Sequence, residues 1–181
     1  MARGHDDLWV FGYGSLMWRP GFPFVESCHA QLYGYHRALC ILSHVHRGTP
    51  ERPGLVLGLD RGGRCHGVAF RVPAAEAEPT LHYLREREQA TSVYLERHLP
   101  VRFPDGRTVT ALSYVADRRH PQYAGRLDFE RVLGIVRAGV GISGRNPDYV
   151  RSTYEHLAGM GVIDPLLRQI TEAIAEAEPE T

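Results

Sequence analysis

The sequence predicts an α+β domain, and three observations predict it. Short apolar runs divided by Gly, Pro and Asp turn signals fill the first two-thirds of the chain. Apolar residues at helical spacing fill the last third. Strands and helices do not alternate along the chain, as they would in a doubly wound sheet. With 181 residues and no linker, repeat or low-complexity segment, the expectation is a single domain over residues 1–181.

Leu8 to Tyr13 is an apolar and aromatic run ending beside glycine, the pattern of a buried strand. Gln31 to Ser43 is rich in Tyr, Leu and Ile and reads as one long bent strand or two. Leu55–Leu59 and Arg64–Val72 flank Asp60-Arg61-Gly62-Gly63, which reads as a hairpin turn. His98–Phe103 and Arg107–Val115 flank Pro104-Asp105-Gly106, a second hairpin. Leu81 to Glu88 reads as a helix starting near Thr80. Asp128 is placed to cap a helix with Phe129, Val132, Leu133 and Val136 on one face and Gly139 as its stop. Asn146-Pro147 starts another that runs to Leu157, and Asp164-Pro165 a last one with Leu166, Leu167, Ile170 and Ile174 inside.

Composition removes several functions. Basic and acidic residues number 21 each, so the formal net charge is zero, and the basic excess of a nucleic-acid binder is missing. All 21 basic residues are arginine. Without lysine there is no Schiff base, no pyridoxal phosphate attachment and no phosphate-binding lysine of a nucleotide loop. Cys28, Cys40 and Cys65 form no Cys-x-x-Cys pair and read as reduced, buried small hydrophobes. No apolar run approaches the about 18 residues of a membrane span, and the polar N-terminus has no signal-peptide core. These features give the expectation of a cytoplasmic protein with neither nucleic acid nor membrane as partner.

Some motifs match only as strings. Gly139-Val140-Gly141-Ile142-Ser143-Gly144 has the dinucleotide spacing, but helical periodicity precedes it and the chain ends too soon for further parallel strands. It reads as a loop. His44 and His46 lack a third ligand of suitable spacing, and His29, His36 and His66 are scattered singly, so no metal is expected. Met17 stands where a serine-hydrolase elbow around Ser15 would need glycine.

Two features remain. Gly12-Tyr13-Gly14-Ser15-Leu16 follows the first strand, and paired glycines at a strand end let backbone N–H groups approach a ligand. In the helix after Thr80, residues 81, 84 and 88 share a face at 100° per residue, whereas Glu86 is turned roughly 160° from Glu88. Glu88 therefore lies along the apolar stripe, where a carboxylate must be paired, hydrogen-bonded or raised in pKa. A structural ion pair with an arginine fits this pattern as well as a catalytic group does.

Four blocks carry a resemblance to the ChaC-type γ-glutamylcyclotransferases, which act on glutathione. They are Val10 to Trp18 with Pro20-Gly21-Phe22; Gly34-Tyr35-His36-Arg37, Ser43, His46 to Pro50 and Pro53-Gly54; Gly67-Val68-Ala69-Phe70 with Tyr83-Leu84 and Arg87-Glu88; and Ser143 to Tyr149 with Leu157, Gly161 and Asp164. Together they span roughly residues 8 to 168. The resemblance implies a mixed sheet curled toward a small barrel with helices around it. It implies that Tyr13, Gly14, Ser15 and Leu16 hold the γ-glutamyl group, that Glu88 is the catalytic acid/base, and that Tyr149 positions substrate. Arg47, in the second block, is the substrate-binding arginine it nominates, while which arginine meets the substrate carboxylates stays open. Many members continue after the glutamate with lysine and then Gly-Tyr; here Gln89-Ala90-Thr91-Ser92-Val93-Tyr94 keeps a tyrosine and loses the glycine.

The implied reaction converts glutathione to 5-oxoproline and cysteinylglycine, with no cofactor and no metal. The alternatives are a relative acting on other γ-glutamyl peptides or amines, a non-catalytic module binding a small acid, and a Cys-His hydrolase.

Overall fold

The computed structural model describes residues 6–88 and 92–177. Within it the chain divides into two compact units, Met1–Arg37 with Leu59–Asp117, and Ala38–Gly58 with Arg118–Thr181.

The first unit is built on a barrel. Its strands are β1 (Leu8–Gly12), β2 (Glu26–Ser43), β3 (Gly54–Val72), β4 (Tyr94–Arg102) and β5 (Thr108–Ala116), closed in the order β1-β3-β2-β4-β5. The unit boundary falls inside β2 and β3. β1 pairs antiparallel with the end of β3, from Leu8↔Val72 to Gly12↔Val68, and closes parallel on β5 at Val10↔Leu112. β4 and β5 form the expected hairpin, with Gly106 at φ 89 in its turn. Val10, Phe11, Leu32, Phe70, Val72, Val101 and Leu112 are buried residues of these strands and fill the core. Helix α1 (Ala77–Glu88) follows β3.

The sequence reading is corrected at β3. Residues 55–59 and 64–72 do not form a hairpin; they belong to one continuous 19-residue strand. Gly62 at φ 104 and Gly63 at φ 66 absorb a bend instead of a reversal, and His36 Nδ1 lies 3.0 Å from the Gly62 carbonyl oxygen. β2 begins five residues before the expected Gln31.

In the second unit α2 (Phe129–Ala138), α3 (Asn146–Gly159) and α4 (Pro165–Ala177) pack together through Val132, Leu133, Val136, Val150, Leu157, Leu167, Ile170 and Ile174. The expected caps are present: Asp128 Oδ1 accepts from Arg131 N–H at 2.8 Å and Asp164 Oδ1 from Leu167 N–H at 3.0 Å. The 139–144 segment is not an open loop. It forms a small hairpin, β6 (Val140–Gly141) with β7 (Gly144–Arg145), turned at Ile142-Ser143, with Gly144 at φ 113 opening the return strand. Among the described residues no helix is long and apolar enough to cross a membrane.

Candidate active site

In the first unit the turn after β1 is joined to α1 by a side-chain hydrogen bond from Arg87 to Ser15. Gly12 ends β1, and a Cβ there would lie 3.0 Å from Leu16 Cβ and 3.3 Å from Met17 N, so glycine lets the chain fold back tightly. The chain then makes one 3-10 turn, Ser15–Met17, with Met17 N–H donating to Gly14 O at 2.9 Å. Gly14, at φ −136 and ψ −128, has no side chain to cap the turn and does not use the left-handed region. Tyr13, Leu16 and Met17 are buried, and the Tyr13 carbonyl accepts from Arg37 Nε at 2.6 Å. Of residues 13–17, Ser15 is the exposed one. Tyr13, Gly14 and Leu16 are buried in this turn, and Ser15 brings its hydroxyl to the surface.

α1 presents Glu88 as the helical phase predicts. Leu84 is fully buried, and the Glu88 side chain is 17% exposed against 70% for Glu86. Glu86 faces solvent and lies 3.2 Å from His82 Nε2, one turn earlier. Burial pushes the Glu88 carboxyl above the ordinary carboxylate range, and the neighbouring Arg87 charge pulls it part of the way back. Tyr114 on β5 is close enough to be influenced by Glu88; its own burial, together with Glu96 and Glu88, raises its pKa and keeps it neutral.

Arg87 links helix and loop. It donates from Nη2 to Ser15 Oγ at 2.8 Å and from Nη1 to Arg19 O at 2.7 Å, and its Nε is 3.5 Å from Glu88 Oε1. Sequence reading passed over this arginine as a functional side chain. The available signal was Tyr83 four residues before it, the spacing at which helical side chains meet; Nη1 reaches the Tyr83 hydroxyl at 3.0 Å.

Arg47 and Tyr149 belong to the second unit. The Arg47 guanidinium lies over the Tyr149 ring, 5.5 Å from its centroid, and donates to Arg145 O at 3.2 Å. The Tyr149 hydroxyl accepts from Leu57 N–H at 3.0 Å. Asn146, fully buried, accepts from Leu55 N–H and donates to Leu55 O, both at 2.8 Å, so the start of α3 clasps the beginning of β3.

The other sequence candidates resolve structurally. His46 Nδ1 lies 2.8 Å from Ser143 Oγ, beside Ile142 and Ser143 N–H groups that donate to Val45 and His46 carbonyls. These contacts consume the backbone donors a phosphate would need. His29 and His66 are not single: His29 Nδ1 and His66 Nε2 are 3.0 Å apart, and burial lowers the His66 pKa. They line a cavity of about 320 Å³ with Gln31, Tyr33, Arg102 and Phe103, which contains none of the residues selected from sequence. Among the described residues no three His, Cys, Asp or Glu side chains group to hold a metal. Cys40 and Cys65 are buried, and Cys28, Cys40 and Cys65 form no disulfide. Gln89, Ala90 and Thr91, where the family pattern is broken, lie outside the described residues; Ser92 just after them has φ 57, a conformation glycine adopts more readily.

Residues 8–177 match the family model described as ChaC-like protein. A glutathione-specific gamma-glutamylcyclotransferase of Escherichia coli (strain K12) is 38% identical over 177 residues, covering 96% of this chain and 77% of that protein. Glutathione-specific gamma-glutamylcyclotransferase 1 of Danio rerio is 35% identical over 181 residues, with 96% and 92% covered. A crystal structure of the glutathione-specific gamma-glutamyl cyclotransferase from yeast superposes with a TM-score of 0.84 at 21% identity, over 96% of this chain and 98% of that one. That likeness bears out the α+β barrel fold.

Proposed function

The chain belongs to the ChaC-like family, and from that premise we propose that it is a glutathione-specific γ-glutamylcyclotransferase with Glu88 as acid/base. The observation that carries the chemistry is Glu88 itself: a carboxylate largely removed from water, shifted upward by burial, and joined through Arg87 to the strand-end loop.

The reaction is an intramolecular acyl transfer. The α-amine of the γ-glutamyl group attacks its own γ-carbonyl carbon, forming the C–N bond of the lactam. The amide bond to cysteinylglycine breaks. Holding amine and carbonyl in contact can supply up to about 7–11 kcal/mol of the barrier reduction. Two proton transfers remain. The substrate ammonium must lose a proton before its lone pair can attack, and the departing nitrogen must gain one. Glu88 takes the ammonium proton and returns it to the leaving amine. The attacking nitrogen sheds a second proton as the lactam forms, and the released amine takes up one more to leave as an ammonium. Protons are thus conserved, and Glu88 ends with its starting charge. A carboxyl raised by burial suits both directions better than an ordinary glutamate, because donor and acceptor strengths are nearer to balance at neutral pH. The backbone of Gly14, Ser15 and Leu16 is the proposed support for charge on the γ-carbonyl oxygen. Arg47 and Tyr149 are proposed as substrate contacts on the family resemblance.

The test is direct. Purified protein is incubated with glutathione, and 5-oxoproline and cysteinylglycine are measured by mass spectrometry. Equal amounts of both are expected from the wild type and almost none from Glu88→Gln. Release of free glutamate instead would mean hydrolysis and would overturn the reading. The same assay with other γ-glutamyl peptides sets the specificity.

A further inference from the structure

We propose that Arg87 is a positioning residue of this reaction, a single guanidinium that fixes the strand-end loop and the Glu88 carboxylate in one arrangement. The inference rests on the reading of Glu88 as acid/base and of the loop as the γ-glutamyl site.

All three guanidinium nitrogens are engaged, and their acceptors come from separate stretches of the first unit. Nη2 donates to Ser15 Oγ at 2.8 Å. Nη1 donates to the carbonyls of Arg19 at 2.7 Å and Pro20 at 3.3 Å, and to the Tyr83 hydroxyl at 3.0 Å. Nε faces Glu88 Oε1 at 3.5 Å. A planar fork can meet acceptors in these several directions at once; an ammonium is a point charge on a flexible stem and cannot. Tyr83 completes the arrangement. Its hydroxyl occupies the space a Cβ on Gly21 would need, and Gly21 has φ 75, so the loop reaches Arg87 only with glycine at that corner. The Arg87 side chain is 21% exposed, which makes its hydrogen bonds expensive to leave unmade.

The same group sets the field at Glu88. Tyr114 reaches toward Glu88 from β5 and stays neutral. Behind it, Glu96 of β4 lies 3.5 Å from the Tyr114 hydroxyl and is met by Arg85 Nε at 3.1 Å. Arg87 is the cation whose charge opposes the effect of burial on Glu88. Removing that charge raises the Glu88 carboxyl further and leaves less of it ionised to accept the substrate's proton.

The experiment compares full-length Arg87→Lys, Arg87→Met, Ser15→Ala and Glu88→Gln. Each is assayed for kcat, KM and the pH profile of kcat/KM with glutathione, and each is melted by circular dichroism. Arg87→Met is expected to raise KM, to lower kcat/KM by about 10- to 100-fold, and to move the acid limb to higher pH. Arg87→Lys is expected to show the KM defect with the limb near its wild-type position, because charge survives while the fork does not. Ser15→Ala is expected to raise KM by less, with the limb unmoved. A folded Arg87→Met enzyme with wild-type KM and acid limb, beside an inactive Glu88→Gln, overturns the proposal and leaves the acid/base reading standing. An active Glu88→Gln overturns that reading and the proposal with it. Should Arg87→Met not fold, Arg87→Lys decides: wild-type KM there overturns the proposal.

Discussion

Arg87 beside Glu88 and Arg71 between Asp7 and Glu26 are both contacts of arginine with carboxylates, yet their carboxyls shift in opposite directions. Arg71 donates to Asp7 at 2.7 Å and to Glu26 at 2.9 Å, with roughly a third of each side chain exposed. These hydrogen bonds hold both carboxyls below the ordinary range. At Glu88 the arginine stands farther off, at 3.5 Å, and the carboxylate is more deeply buried, so desolvation wins. Arg87 spends its strong bonds on the loop instead. A surface ion pair fixes charge in place, whereas a buried carboxylate with a distant cation keeps its proton within reach of chemistry.

The largest effect should come from Glu88→Gln, which keeps volume but cannot take a proton. Turnover of glutathione is expected to fall by at least about 10²–10⁴, since one group serves both transfers. Its melting temperature should hold or rise slightly, because a poorly solvated charge is removed. A stable variant with near wild-type turnover would erase the distinction between the two arginine sites.

Gly14→Ala tests the loop rather than the carboxylate. A methyl group here should displace the γ-glutamyl group and lower kcat/KM by up to about 10²-fold, with the melt unchanged. Wild-type kinetics in the folded variant would remove the loop from the site.

The pH dependence should have opposite signs in the two regions. Glu88 holds its proton more tightly in the fold than in the unfolded chain, so its ionisation subtracts stability as pH rises past the ordinary glutamate value. Asp7 and Glu26 hold theirs less tightly, so they add stability above their unfolded pKa that is lost as pH falls through their lowered values. Denaturant melts across the acid range should therefore show Glu26→Gln weakening the rise of stability with pH and Glu88→Gln strengthening it. The same slope change in both variants would mean that burial does not control Glu88. For activity, the acid limb of kcat/KM should lie above the range of an unperturbed glutamate.

The smallest effect belongs to Glu86→Gln. This exposed carboxylate, two residues from Glu88, should change neither turnover nor stability by more than about 0.5 kcal/mol. A dead Glu86→Gln with an active Glu88→Gln would invert the assignment of the helix face.

Local chemistry made much of this protein legible before any fold was known. Helix phase separated Glu88 from Glu86, because a 100° step per residue is a property of the backbone alone. Asp128 and Asp164 announced helix starts because a capping carboxylate bonds an amide only three residues away. The β4–β5 turn was equally local. Asp60-Arg61-Gly62-Gly63 misled because positive φ at glycine permits either a reversal or a bend, and the pairing of β3 within the barrel decides between them. His29 with His66, Asn146 with Leu55, and Arg87 with Ser15 join residues 37, 91 and 72 positions apart, and nothing in their neighbours marks them as partners. The sequence by itself determined which carboxylate lies on the buried face of α1 and where glycine frees the strand end, since both follow from short-range geometry. Only the tertiary structure decided that the carboxylate is raised rather than lowered and that Arg87 ties it to the loop, since desolvation and long-range hydrogen bonds exist only once the chain has packed.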